Sequence, residues 1–256
     1  MKRVVTALVL LPVFVYIAVW APAWLFFAAL AIVGILCFRE YANLVAHHNL
    51  RPPGLFGYAA GVAVLFLPRP EFIFLTLIAL LALALSMTSR ELPNALPFAA
   101  ALVFGVAYVF GGLRTAAGLR ELSALWLLFA LSCNWVGDVA ALYIGKAFGR
   151  HKLAPRISPG KTWEGAAASL VLTIVYAYFY FGHLIHGIAV WQSLLIGAAA
   201  NIAGQIGDLC ESAIKRGAGV KDSGHMLPGH GGWLDRIDSS LFSMPVVYYM
   251  ASVLIH

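Results

Sequence analysis

Residues 211–238 read ESAIKRGAGVKDSGHMLPGHGGWLDRID, and the rest of the chain is interpreted outward from this polar stretch. Acidic and basic side chains are interleaved in it, and six glycines separate them. Carboxylates beside cations and glycines are groups that together hold phosphates and a divalent metal. The ionisable residues of the stretch are Glu211, Lys215, Arg216, Lys221, Asp222, His225, His230, Asp235, Arg236 and Asp238.

The sequence around this stretch is apolar. Hydrophobic residues make up 62% of the 256 residues and charged residues only 11%, whereas soluble domains carry about 25% charged residues. The apolar runs are long and continuous, as membrane-crossing helices require, and they lack the alternation of barrel strands. We therefore expect an all-α integral membrane protein.

Hydropathy predicts nine transmembrane helices. Residues 1–120 are expected to form a multi-span membrane region with little chemistry, and residues 121–256 a catalytic membrane region. The first span follows two cations and lacks a small-residue cleavage site, so it is interpreted as a signal anchor. Glycines such as Gly105 and Gly197 are expected to allow close helix packing. The nine predicted spans are 4–20, 23–38, 54–68, 71–88, 93–113, 122–146, 163–183, 187–214 and 237–255.

Lysine and arginine predict the orientation of these spans. With the N-terminus in the cytoplasm, 14 of the 17 Lys and Arg residues fall in cytoplasmic segments, and only Arg69, Arg114 and Arg120 fall outside. Such a bias is typical of membrane proteins. The polar stretch is therefore expected at the cytoplasmic interface, where nucleotides are present.

The net charge of +6 favours contact with anionic lipid and an anionic substrate. The small water-facing surface offers no platform for a nucleic acid, so we expect no nucleic-acid partner. The three cysteines, Cys37, Cys133 and Cys210, are scattered without a Cys-x-x-Cys spacing. Neither a disulfide framework nor a zinc site is expected.

Asp138 lies well inside the sixth apolar segment, with Asn134 one helical turn earlier on the same face. An ionisable group at that depth usually faces a polar cavity, which makes Asp138 a candidate substrate-binding residue. The alternative is that Asp138 lies near the cytoplasmic end and pairs with Lys146 or Lys161.

The loop at 146–164 carries five cations and one acid, Glu164. Gly160-Lys161-Thr162 is similar to the end of a phosphate-binding P-loop, but Pro155 stands where that loop needs glycine. We expect Ser158-Pro159-Gly160 to form a turn and Thr162 to cap a helix that begins near Trp163. Lys161 and this helix N-terminus would then meet a phosphate. The alternative is a basic loop that contacts anionic lipid.

A polar stripe marks the eighth predicted span. Its members are spaced by four, three, four and three residues, so they share one helix face, which must meet a polar cavity or a partner. Asp208 is the candidate hard-metal ligand of this stripe. The stripe consists of Asn201, Gln205, Asp208, Ser212 and Lys215.

Asp235 and Asp238 would share a face if the last helix begins near them. Asp208 and Asp235 would then converge from the two ends of the loop that joins the eighth and ninth predicted spans. A structural salt-bridge cluster is the alternative. His230 in this loop is either an acid–base group or a hydrogen-bonding strut, and the spacing does not separate the two.

Three motifs in the C-terminal half closely resemble phosphatidate cytidylyltransferases, also called CDP-diacylglycerol synthases. The long motif begins Ser212-x-x-Lys215-Arg216-x4-Lys221-Asp222-x-Gly224, and continues Leu227-Pro228-Gly229-His230-Gly231-Gly232-x-x-Asp235-Arg236-x-Asp238. The other two are Ser158-Pro159-x-Lys161-Thr162-Trp163-Glu164-Gly165 and Gly207-Asp208-Leu209-x-Glu211-Ser212. Two positions depart from the family's usual residues: Gly160 replaces a common second lysine, and Trp233 replaces a smaller apolar residue.

The resemblance implies that CTP and phosphatidate react to give CDP-diacylglycerol and pyrophosphate, with Mg²⁺ and a K⁺ ion beside it. It further implies a homodimer in the bacterial cytoplasmic membrane, with the active site facing the cytoplasm. The implied metal ligands are Asp208 and Asp235, with Asp238 as a further candidate. Lys221, Asp222 and His230 complete the implied catalytic set. The implied substrate-binding residues are Lys161, Ser212, Lys215, Arg216, Arg236, Asn201 and Asp138.

Two other functions stay open at this point. A CTP-dependent lipid or polyprenol kinase would transfer the γ-phosphoryl group to an alcohol and would need a base near the hydroxyl. A transporter of a phosphorylated solute would place polar groups along several spans and on both membrane faces. The polar groups here gather on the predicted cytoplasmic side, which favours an enzyme.

Overall fold

A computed structural model of the chain describes residues 12–67, 72–88, 92–227, 229 and 231–254. The described residues divide into two compact units. The first contains Ala21–Arg114 and Ile214–Arg236, and the second contains Phe14–Trp20, Thr115–Ala213 and the chain from Ile237 onward. The residues that our motif analysis selected are therefore shared between the two units, which are described separately.

Helices dominate both units. After a helical segment at residues 12–19, the elements in chain order are α1 (Ala23–His47), α2 (Gly54–Phe66), α3 (Phe72–Ser86), a 3₁₀ turn (Leu92–Asn94), α4 (Ala95–Gly105), a π-helical turn (Val106–Gly111), α5 (Gly112–Leu122), α6 (Ala124–Phe148), β1 (Lys152–Ala154), β2 (Ser158–Thr162), α7 (Trp163–Leu184), α8 (Val190–Gly217) and α9 (Leu234–Leu254).

The predicted all-α membrane architecture is confirmed at the level of helices long enough to cross a bilayer. Six such helices occur in the described part of the chain, and two shorter apolar helices, Gly54–Phe66 and Phe74–Ser86, lie at the third and fourth predicted spans. Residues 4–11 of the first predicted span lie outside the described residues, and residues 12–19 of it are helical. The count of nine spans and the orientation stay predictions. The six helices are Ala23–His47, Leu92–Leu122, Ala124–Phe148, Trp163–Leu184, Val190–Gly217 and Leu234–Leu254.

Aromatic rings packed onto glycines form the core of the first unit. A methyl group on Gly34 would lie 2.7 Å from the ring of Phe110, and one on Gly57 would lie 2.8 Å from the ring of Phe38. The predicted close packing at Gly105 is confirmed, because a methyl group there would overlap the ring of a tyrosine in α1. Small residues thus let the helices approach closely.

The second unit is centred on the packing of α6 against α7. The rings of Phe129 and Phe181 lie 4.5 Å apart between their centroids, and the hydroxyl of Tyr180 donates to the carbonyl of Leu125 at 2.7 Å. Buried aromatic pairs of this kind stabilise beyond the area they bury. The predicted close packing at Gly197 is also confirmed, since a methyl group there would lie 2.6 Å from the side chain of an alanine in α7.

A two-stranded antiparallel hairpin, β1 and β2, connects α6 to α7. The predicted turn at Ser158-Pro159-Gly160 is wrong, because these residues belong to β2. The turn lies earlier: the amide of Ile157 donates to the carbonyl of Ala154 at 3.1 Å, with Pro155 at the second position, which proline favours. Pro159 falls where the strand register shifts, and a residue without an N–H is tolerated there.

The predicted helix cap at Thr162 is confirmed. Its hydroxyl accepts a hydrogen bond from the amide of Gly165 at 3.2 Å, and α7 begins at Trp163. The ring of His151 bonds Glu164 at 2.6 Å, and the backbone amide of His151 also donates to that carboxylate. These contacts fix the base of the hairpin against the first turn of α7.

Candidate active site

A cavity of about 430 Å³ lies within the second unit, between α6, the hairpin, α7 and α8. This volume is within the range of small-molecule sites. Four of the candidate site residues line it, namely Asp138, Lys161, Asn201 and Asp208. The predicted polar cavity beside Asp138 and beside this part of the α8 stripe is thus present.

Lys161 and Asp208 form an ion pair at the wall of this cavity. The Lys161 ammonium lies 2.5 Å from Oδ2 of Asp208, and the two side chains are 27% and 31% exposed. The hydroxyl of Ser212 donates to Oδ1 of the same carboxylate at 3.3 Å. Strand β2 supplies the cation and α8 the carboxylate, so a phosphate in the cavity would meet a lysine that is already positioned.

A network of hydrogen bonds between neutral side chains joins α7 to α8. The amide of Asn201 donates to the hydroxyls of Ser169 and Thr173, both at 2.9 Å, and the amide of Gln205 donates to the oxygen of Asn201 at 2.5 Å. A methyl group on Gly137 of α6 would lie 2.7 Å from the amide nitrogen of Asn201. Asn201, at 3% exposure, therefore shapes the cavity through hydrogen bonds to its neighbours.

Asn134 ties α6 to α9 on the same side of the cavity. Its amide donates to the hydroxyl of Ser243 at 2.8 Å and to that of Ser240 at 3.3 Å. Asn134 and Asp138 both line the cavity, as their spacing of one helical turn predicts. Asp138 is exposed on this wall.

Helices α8 and α9 approach each other directly before Asp208. A methyl group on Gly207 would lie 2.8 Å from the backbone oxygen of Asp238. The carboxylate of Asp238 accepts the amide of Ser239 at 2.6 Å, and Ser239 lines the cavity. Ser239, the residue after Asp238, therefore lines the same cavity as Asp208. The role of Asp238 as a metal ligand stays a prediction.

A second group of charged residues lies in the first unit, around Asp235. The ammonium of Lys215 lies 2.5 Å from Oδ1 of Asp235, and the side chains are only 10% and 5% exposed. The other oxygen, Oδ2, accepts the amide of Gly232 at 2.7 Å, and the amide and hydroxyl of Ser223 both lie 3.0 Å from it. Asp235 belongs to the first unit and Asp208 to the second, so their convergence stays a prediction.

Glu40 is a buried member of this group that our sequence analysis missed. It lies in α1 at 3% exposure, and its carboxylate accepts the hydroxyl of Ser223 and the amides of Trp233 and Leu234. The second predicted span ends at residue 38, two residues before Glu40, whereas α1 continues to His47. The sequence did contain a signal: apolar residues continue after Glu40, which indicates that the helix extends past this acid.

The remaining selected residues of the loop face outward. Lys221 and Asp222 are exposed, as are Arg216 and Arg236, and the Arg216 guanidinium donates to the carbonyl of Val220 at 3.1 Å. His230 lies outside the described residues, so its role stays a prediction. Exposed cations near a glycine-rich loop are suited to bind phosphate groups that arrive from water.

The sequence matches the family described as "Cytidylyltransferase family" over residues 1–254. The chain belongs to the cytidylyltransferase family. The match extends well beyond the C-terminal motifs from which the resemblance was first drawn.

Curated relatives of this chain include three bacterial proteins. The uncharacterized protein YnbB of Escherichia coli (strain K12) is 48% identical over 126 residues, which are 49% of this chain and 42% of the relative. The phosphatidate cytidylyltransferase of Bacillus subtilis (strain 168) is 44% identical over 128 residues, 50% of this chain and 48% of the relative. That of Haemophilus influenzae is 43% identical over 128 residues, 48% of this chain and 44% of the relative. The chain spans about half the length of these relatives or less.

The oxygen-bearing side chains around Asp208 fit a hard divalent cation. Asp208 lines the cavity together with Gln205 and Ser239. All three side chains carry oxygen, the donor that Mg²⁺ prefers. Among the described residues, no three acidic, histidine or cysteine side chains gather as a ready-made metal site. At Asp235, Oδ2 already has its partners, so a further ligand would bind Oδ1, now beside Lys215.

Proposed function

We propose that this protein transfers the cytidylyl group of CTP to phosphatidate, which gives CDP-diacylglycerol and pyrophosphate. The observation that carries the proposal is the cavity in the second unit, where Lys161 and Asp208 combine a cation and a carboxylate inside a helical membrane protein. Membership of the cytidylyltransferase family and the names of the relatives support it.

In the proposed reaction, an oxygen of the phosphatidate phosphate bonds to the α-phosphorus of CTP. The bond from that phosphorus to the oxygen bridging to the β-phosphate breaks, and pyrophosphate leaves. Both reactants are anions, so cations must offset their repulsion. Lys161 and Lys146 line the cavity and would hold phosphate oxygens, while Lys215, Arg216, Lys221 and Arg236 would bind phosphates at the loop.

The attacking group is already an anion, so the proposed reaction needs no strong general base. We therefore assign His230 and Asp222 to orienting substrates rather than to removing a proton. Asn201 and Ser212 would act through the partners they already bond, and Asp138 would orient groups bound at the cavity wall.

We also propose that Mg²⁺ is the divalent cofactor, with Asp208 and Asp235 as its candidate ligands, Asp238 as a further candidate and K⁺ as a second cation. When bound, Mg²⁺ would neutralise phosphate charge and favour departure of pyrophosphate. Lys161 pairs with Asp208 and Lys215 pairs with Asp235. A divalent cation held by these carboxylates would leave each lysine available to a phosphate.

The proposed setting is the bacterial cytoplasmic membrane, with the site facing the cytoplasm and a homodimer as the assembled form. The 14 cations assigned to cytoplasmic segments support this orientation. In this position CTP reaches the cavity from water, and the acyl chains of phosphatidate stay in the bilayer.

The test is to incubate purified protein with phosphatidate, Mg²⁺ and CTP labelled at either the α or the γ phosphorus. We expect α-label to enter the lipid, and Asp235→Asn and Asp208→Asn to abolish this transfer. Lipid labelled only from γ-labelled CTP would identify a kinase instead. Protein that transfers neither label would contradict an enzymatic role with these substrates.

A further inference from the structure

Glu40 lies outside every motif of the family resemblance, yet it accepts hydrogen bonds from the loop between α8 and α9 and from the start of α9. Oε1 of Glu40 accepts the amide of Trp233 at 3.0 Å, and Oε2 accepts the amide of Leu234 at 2.9 Å. The hydroxyl of Ser223 donates to Oε2 at 2.8 Å. The partners in the loop are more than 180 positions away in sequence, since these three contacts span 183, 193 and 194 residues.

The physical chemistry of this carboxylate explains why the contacts persist. A buried charge is costly unless hydrogen bonds satisfy it, and Glu40 receives three. Leu234 is the first residue of α9, so the negative charge also lies at the positive end of a helix. Glu40 therefore fixes the place where the loop ends and α9 begins.

Two glycines of the loop leave room for this carboxylate. A methyl group on Gly224 would lie 2.5 Å from Oε1 of Glu40, and one on Gly232 would overlap Oε2 and the Ser223 oxygen. Neither glycine has a positive φ, so glycine is needed at both positions because a larger side chain would not fit, and not because of backbone conformation. The loop backbone closes onto Glu40 from two sides.

Ser223 connects Glu40 to Asp235. Its oxygen lies 2.8 Å from Oε2 of Glu40 and 3.0 Å from Oδ2 of Asp235, and its single hydroxyl hydrogen serves one carboxylate at a time. The amides of Ser223 and Gly232 also donate to Asp235. The donors that hold Asp235 in place are therefore held in turn by contacts with Glu40.

We propose that Glu40 is a positioning residue for cytidylyl transfer, which acts by fixing Ser223, Gly232 and the start of α9 so that Asp235 keeps its place. The proposal rests on the proposed function for its kinetic effect. Its structural part does not, because loop order is measurable without substrate. On this view α1 contributes to the active site and does more than anchor the protein in the bilayer.

The test uses Glu40→Gln, Glu40→Asp and Ser223→Ala, with Glu121→Gln as the matched control. Glutamine keeps the size of the side chain, but its amide nitrogen would face the N–H of either Trp233 or Leu234. Aspartate keeps the charge on a side chain that is one methylene shorter. Glu121 is exposed and lies outside the loop.

We expect Glu40→Gln to lower kcat about tenfold or more, because it leaves a buried donor unsatisfied, with a smaller change in the KM for CTP. Glu40→Asp should recover part of the loss, and Glu121→Gln should behave as wild type. Trypsin should cleave after the exposed Lys221 several-fold faster in Glu40→Gln without substrate. If Ser223 acts through Glu40, adding Ser223→Ala to Glu40→Gln should lower kcat little further.

Wild-type kcat and wild-type cleavage after Lys221 in Glu40→Gln would overturn the proposal. The proposal would also be overturned if the decreases in kcat from Glu40→Gln and Ser223→Ala multiply in the double variant. If Glu40→Gln does not accumulate in membranes, Glu40→Asp and Ser223→Ala test the same contacts, and wild-type cleavage in both would overturn it. Failure of the wild type to transfer α-label would refute the proposed function and leave the proteolysis result valid for Glu40.

Discussion

Lys161 and Asp208 balance each other's charge at the cavity wall. In the proposed reaction a phosphate would become the partner of Lys161 and a divalent cation that of Asp208. Replacing Lys161 with methionine would remove the proposed phosphate contact and the ion-pair partner of Asp208. Losing one electrostatic contact to a reacting phosphate typically costs about 10²–10³ in rate. We expect Lys161→Met to lower kcat/KM for CTP by about that factor, measured as α-label transfer.

Lys152 provides the matched control, because it is an exposed lysine on the same hairpin. Lys152→Met should change kcat/KM less than about twofold, as surface charges away from a site usually do. Equal losses in the two variants would mean that the hairpin acts through its overall charge, as a basic surface for anionic lipid, and would contradict a specific role for Lys161.

Gly160, the residue directly before Lys161, permits a gain-of-function test. It lines the cavity, a side chain there would meet nothing within 4 Å, and its backbone is that of strand β2. Gly160→Lys restores the second lysine that is common in the family, and we expect the KM for CTP to fall about two- to fivefold. The gain should shrink as salt rises, since salt screens the added charge.

Gly160→Gln is the control for length without charge. It should leave the KM for CTP near the wild-type value. A similar decrease with glutamine, or no decrease with lysine at low salt, would contradict a phosphate near residue 160.

At the scale of elements, the loop before α9 depends on space for the Glu40 carboxylate. A methyl group at Gly232 would overlap both Glu40 and Ser223, and neither can move because each is buried and bonded. Gly232→Ala should therefore release the loop, accelerate tryptic cleavage after Lys221 and lower kcat by at least tenfold. Gly182→Ala in α7, where a methyl group meets nothing within 4 Å, should leave both properties unchanged.

Elements set by local chemistry were predictable from the sequence, and those set by distant partners were not. Thr162 was correctly predicted as a cap, because the bond to the amide of Gly165 needs only neighbours in sequence. The polar α8 stripe correctly predicted a cavity beside Asn201 and Asp208, because lipid leaves such a face no other partner. The turn at Ser158 was wrong, since Pro155 offered an equally good turn three residues earlier and strand pairing decided between them. Glu40 was missed because its partners lie far along the chain.

At the scale of the whole molecule, the position of the hairpin relative to the bilayer would decide from which side the proposed substrate CTP reaches the cavity. Helix α7 has 22 residues and is therefore about 33 Å long, enough to cross a hydrocarbon core of about 30 Å. The hairpin precedes α7 and the loop at 185–189 follows it, so the two connections should lie on opposite sides of the membrane. The cations of the hairpin predict that its side is cytoplasmic.

Single cysteines test this topology in a variant whose own three cysteines, Cys37, Cys133 and Cys210, are replaced by serine. Arg156→Cys and His186→Cys place an exposed thiol on each side of α7. A membrane-impermeant maleimide should label only the position-186 thiol in spheroplasts and only the position-156 thiol in inside-out vesicles. Label at position 156 in spheroplasts would put the cavity's lysines outside the cell, away from CTP, and would contradict the proposed orientation. Label at both positions in one preparation would mean that α7 does not cross the bilayer.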